Sequence, residues 1–134
     1  MIVLMMACEA TSDPAAECVE VYSADAGYGW ESDPSYGVDA QTAASECDAE
    51  SGSDCDDGDF ITRDAALCIA EVEGLSEGVT DWQAGLVYHH GYSTVVWNVV
   101  SKNIDESDYA AGETISLHAT TAESLGETSW EATP

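Results

Sequence analysis

Residues 61–75 read ITRDAALCIAEVEGL, and the reading of this stretch decides the fold. Thr62 is a good N-cap, a hydroxyl able to accept one of the unpaired N–H groups of a first helical turn. Asp64 follows inside that turn, where the helix dipole favours an acid. Ala65, Cys68, Ile69 and Val72 then recur at i, i+3, i+4 and i+7, one apolar stripe. Gly74 suits the left-handed position just past a helix end, and Leu75 suits the apolar contact of a Schellman ending. The stretch predicts one helix, marked at both ends.

Beyond the helix the chain alternates with a period of two. Trp82, Ala84, Leu86 and Tyr88 interleave with Asp81, Gln83, Gly85 and Val87, a half-buried strand. HHGYS turns the chain, and STVVWNVVSKN carries apolar residues on both faces, as a central strand does. IDESDYAAG reads as a polar loop, ETISLHA as a third strand with Ile115 and Leu117 inward, and LGETSW as a short fourth. Helix followed by antiparallel meander predicts an α+β fold, one main helix packed on a sheet of three or four strands.

Residues 9–59 differ in character, with 15 acids and neither lysine nor arginine. CVEVY (18–22) alternates weakly, and DAQTAASECDAE (39–50) predicts a short helix capped by Asp39. ADAGYGWESDPSYG between them reads as loop. The expected organisation is therefore a loop-rich acidic segment over 9–59 and an α+β domain over 60–134, preceded by a signal-like remnant at 1–8.

Charge narrows the partners. Twenty-seven acids stand against Arg63 and Lys102, a formal net charge of −25. Such a surface repels phosphate backbones, which excludes nucleic acid, and it disfavours anionic membrane surfaces. Cationic partners, metal ions or a saline medium suit it.

Five cysteines occur, at 8, 18, 47, 55 and 68. The start, MIVLMMACEA, has too few apolar residues for a bilayer span of roughly 20. Leu4-Met5-Met6-Ala7-Cys8 resembles a bacterial lipoprotein signal, in which the cysteine becomes the lipidated first residue. Met5 stands where leucine is usual, and no basic segment precedes the run. If Cys8 carries lipid, Cys18, Cys47, Cys55 and Cys68 make two disulfides in any of three connectivities. No C-x-x-C or cysteine–histidine spacing points to zinc. An oxidising, extracytoplasmic location follows, either lipid-anchored at a bacterial envelope or secreted. Disulfides are then expected to fasten the first half onto the second.

AALCIAE (65–71), VVWNVV (95–100) and GETISLHATTAESLG (112–126) resemble pieces of the PepSY and cystatin-like small extracytoplasmic domains, over roughly residues 60–130. His118 stands where that strand often has aspartate, and Ala122 replaces the turn glycine. The resemblance implies a non-catalytic accessory or peptidase-restraining role and supplies no catalytic residues.

The acidic loop before the helix is the first candidate site. No EF-hand register fits: with Gly58 at the sixth position, Ser53 and Cys55 occupy ligand places, and with Asp54 at the first position Gly58 falls at the fifth and Ala65 at the twelfth. A calcium site of another kind, from Asp54, Asp56, Asp57 and Asp59, stands as the alternative reading, with no other cofactor implied. His89 and His90 are adjacent and point to opposite faces of a strand, so they cannot share a metal; His118, on another strand, is the one histidine able to approach either. No nucleophile elbow or nucleotide loop occurs. With so many acids a carboxylate pair carries no information, and a carboxylate hydrolase is a remote alternative. Trp82 and Trp97 are expected in the core. Trp30 and Trp130, in irregular or terminal sequence, are candidate binding residues, and an open sheet edge offers peptide binding by strand addition. The function read from the sequence is a non-catalytic protein- or peptide-binding module.

Overall fold

The structure, a computed structural model, describes residues 13–33, 35–51 and 55–132. Helix α3 (Arg63–Val72) forms where both end signals put it. Thr62 Oγ1 accepts the Ala65 N–H at 3.2 Å. At the other end Gly74, at φ 89°, donates to the Glu71 carbonyl, and the Leu75 N–H reaches back to Ala70 at 3.0 Å. That pair of bonds is the Schellman ending, and the left-handed residue is a glycine because a Cβ there would be strained.

The helix is rotated from the predicted stripe. Ala65, Ala66, Ile69 and Ala70 are its buried residues, whereas Val72 is 49% exposed. The cause lies at Cys68, which turns toward a neighbouring helix and forms a disulfide with Cys18. The alanines then face inward and permit close approach.

That neighbour is α1 (Pro14–Val21), built on the segment whose CVEVY alternates weakly. Local start signals override five residues of alternation. Asp13 Oδ1 accepts the Ala15 N–H at 3.1 Å, and Pro14 sits at the first helical position, where its missing N–H is no loss. Cys18 is its buried residue. Helix α2 (Ala40–Ser51) forms as predicted, with Asp39 Oδ1 accepting the Thr42 N–H at 2.8 Å. That bond holds the Asp39 carboxyl below its ordinary pKa. The first half is thus more helical than its composition suggests, and it supplies Cys18, Ala43, Ala44 and Cys47 to the core.

Strands β1 (Gln83–His89), β2 (Thr94–Glu106), β3 (Tyr109–His118) and β4 (Ser124–Ala132) form one antiparallel sheet in sequence order. Helices α2 and α3 pack on β1 and β2, and α1 packs on α3. The fold is α+β, as expected, with α1 added to the main helix and the short helix that the sequence predicts. Trp97 is fully buried at the centre, its indole N–H donating to the Ile61 carbonyl at 2.8 Å. The predicted loop IDESDYAAG is instead the β2–β3 hairpin, closed by Ser107 and Asp108 alone. Its polar side chains at 105–108 are exposed to water while the backbone continues the ladder. A bulge at Asn103 swings that side chain to Ser76 Oγ and the Glu77 carbonyl.

Both disulfides use the four predicted cysteines. Cys18–Cys68 joins α1 to α3 with Cα atoms 5.7 Å apart and spans 50 residues. Cys47–Cys55 closes a separation of 8 at the end of α2. Only the first fastens one half to the other, which corrects the expectation that both would.

Candidate functional site

The acidic loop turns inward on its own backbone. Asp56 Oδ1 accepts the Gly58 N–H at 2.9 Å and caps a single turn of 3₁₀ helix, Asp57–Asp59. Asp54 and Cys8 lie outside the described residues. Among the described residues no group of three or more His, Cys, Asp or Glu is placed to hold a metal. The histidines have separate partners: His118 Nδ1 accepts the Thr120 and Thr121 N–H groups and its Nε2 lies 3.3 Å from Thr94 Oγ1, whereas His89 Nδ1 accepts the Tyr92 N–H in the β1–β2 turn.

The two candidate tryptophans do not form one patch. Trp30 donates to the Phe60 carbonyl at 2.7 Å and packs against the core on the helix side. Trp130 pairs with Gly112 and therefore shares the other side of the sheet. Its ring lies across Gly112, where a Cβ would come within 2.7 Å of Trp130 Cζ2. Strand parity separates them: Trp130 alternates with Glu131 and Ser129, which face the helix side.

A cleft of about 480 Å³ opens between α1, α3 and the start of β1, walled by Tyr22, Leu67 and Trp82 with Arg63, Asp64 and Glu71 at its polar positions. Arg63 is already engaged, its guanidinium 2.8 Å from Asp33 Oδ2. Cys68 also lines the cleft, but its sulfur is tied up in the disulfide, and no histidine lies in the wall among the described residues. The cleft thus holds no thiolate and no imidazole base to activate a nucleophile.

The edges of the sheet differ sharply. Along β1, Asp33 donates its N–H to the Ala84 carbonyl at 2.8 Å, and its carboxylate accepts the Ala84 N–H at 2.7 Å. Ser32 Oγ accepts the Leu86 N–H at 2.8 Å, and Val38 donates to the Leu86 carbonyl at 2.9 Å. The chain crosses so closely at Tyr36 and Gly37 that a side chain on Gly85 would collide with the Tyr36 carbonyl. Ser32, Asp33 and residues 36–38 therefore act as a cover for this edge. Arg63 pins the cover through Asp33.

At the far edge β4 pairs with β3 and has no second strand neighbour among the described residues. Glu127, Thr128, Ser129 and Glu131 are exposed along it. An uncovered edge presents every other N–H and C=O unpaired, a template for another strand. Glu131 accepts the Tyr109 hydroxyl at 2.9 Å, which raises the Tyr109 pKa above its ordinary value. Sequence alone shows that an edge exists; which edge is covered depends on Ser32 and Asp33 meeting residues 51 to 54 positions later. No protein-family model matches the chain, and neither a curated protein nor a solved structure matches it.

Proposed function

We propose that this protein is an exported, non-catalytic binding module that docks an extended segment of a protein or peptide along the outer edge of β4. The observation that carries this reading is the asymmetry of the sheet: Ser32, Asp33 and Val38 occupy the β1 edge, and nothing described occupies the β4 edge. Strand addition draws its affinity from main-chain hydrogen bonds and its selectivity from the side chains beside them. Two disulfides favour an oxidising compartment. No helix among the described residues is long and apolar enough to cross a membrane, so attachment to an envelope rests in this reading on lipid at Cys8. Helices on one face of an antiparallel meander support PepSY- or cystatin-like packing and the accessory, peptidase-restraining type of role that goes with it.

The test is hydrogen–deuterium exchange on the intact, disulfide-bonded protein with about 1 mM of a capped peptide of alternating threonine and valine, a concentration that detects weak sites. The expected result is slowed exchange in β4 with β1 unchanged. If neither this peptide nor its lysine-bearing relatives slows any β4 amide, the reading fails.

A further inference from the structure

Strand β4 presents two chemically different faces. Its register with β3 sets Glu127 opposite Ile115, Ser129 opposite Glu113 and Glu131 opposite Ala111. These residues share the helix-side face with Trp97 and Val99, but among the described residues the helices pack on β1 and β2, and Glu127, Ser129 and Glu131 are exposed. Thr128 and Trp130 lie on the other face, opposite Thr114 and Gly112. Three carboxylates, of Glu113, Glu127 and Glu131, are therefore gathered along about 13 Å of edge, at roughly 3.3 Å of rise per residue.

Like charges at such diagonal positions destabilise a sheet, and the chain does little to offset them. Its lysine and its arginine are engaged elsewhere, Lys102 with Asp105 and Arg63 with Asp33. No ion pair among the described residues reaches the three glutamates. Glu131 accepts the Tyr109 hydroxyl, and Glu113 accepts a long 3.4 Å bond from the Ser76 N–H. Acids on an edge also keep like copies apart. The charges that turn away a second copy of this chain select a cationic occupant.

We propose that the β4 edge takes a basic extended segment, with two lysine or arginine side chains four residues apart over Glu127 and Glu131 and uncharged residues on the Trp130 face. This rests on the strand-addition reading and adds the partner's chemistry and register to it. The period of two makes the register testable. Residues four apart in a strand share a face, and residues three apart do not. General attraction to a chain of net charge −25 does not distinguish the two spacings.

The experiment compares two capped peptides of identical threonine, valine and lysine composition, with lysines four or three residues apart. Both are titrated against the intact protein near physiological ionic strength, and exchange of the β4 amides locates the contact. The four-spaced peptide is expected to bind about twofold to fivefold tighter, the increment one additional exposed ion pair supplies, because the three-spaced peptide keeps a single lysine on the glutamate face. Glu127→Gln with Glu131→Gln should abolish that preference while leaving the melting temperature near its original value. Equal affinity for both peptides, with β4 still protected and the double variant unchanged, overturns the inference and leaves strand addition standing. No β4 protection by either peptide, or by the neutral one, overturns both.

Discussion

Thr62 joins two elements through one hydroxyl. Its oxygen accepts the Ala65 N–H at the start of α3, and its hydrogen goes to the Tyr22 carbonyl at the end of α1. The residue is 2% exposed, so its hydroxyl has no water to fall back on. Replacing it by valine keeps the shape and removes both bonds. Thr62→Val should destabilise the protein by about 2 kcal/mol, combining a lost cap with a part-buried carbonyl deprived of its donor. Thr62→Ser should retain most of the stability, and urea midpoints for the two variants check the difference. The capping half of this role is legible in the sequence, because a cap acts on the three residues that follow it. The bond to Tyr22 is not, because it crosses 40 positions.

Among the elements, legibility depends on how local the signals are. Helix α3 is complete in fifteen consecutive residues, closed by the Gly74–Leu75 ending. Helix α1 is hidden because Val19 and Val21 alternate with acids, whereas its decisive signals, Asp13 and Pro14, lie ahead of that run. The β2–β3 hairpin reads as loop because Asp105, Glu106 and Asp108 have no core beneath them; the ladder continues there without an apolar face. The β4 edge is legible as an available edge, but its acid register with Glu113 emerges only from pairing. Disulfides also act at this scale, and their unequal spans give a prediction. In the loop-entropy picture, removing Cys18–Cys68 by paired serine substitution costs about 4 kcal/mol, against about 2.5 kcal/mol for Cys47–Cys55. The first pair should also accelerate amide exchange throughout α1, and the second should affect the end of α2 alone. Thermal melts and exchange on the two double variants check both statements.

The whole molecule carries its charge with few internal counter-ions: two cations stand against 27 acids. Self-repulsion of that size destabilises the compact state and is weakened by salt. Between about 10 mM and 0.5 M sodium chloride the Debye length falls from about 30 Å to about 4 Å. The melting temperature should rise by about 4 °C over that range, a shift equivalent to roughly 1 kcal/mol for a domain of this size. A melting temperature independent of salt would mean that the acids are too dispersed to repel one another. The same salt should weaken a lysine-bearing peptide at β4, so stability and binding are expected to move in opposite directions.

The cover on β1 has a further consequence for the kinds of assembly open to this sheet. A sheet with two free edges is bifunctional, in the sense of a polymer chemist: it can accept a neighbour and offer a template to the next. With Asp33 and Ser32 bonded to Ala84 and Leu86, this sheet is monofunctional. One added strand at β4 completes its capacity within the sheet, and a pair of copies joined there would have no growing end. In the proposed edge addition Arg63, by holding Asp33 in place, would act as a chain terminator, limiting the stoichiometry to one and denying the sheet a second growing edge.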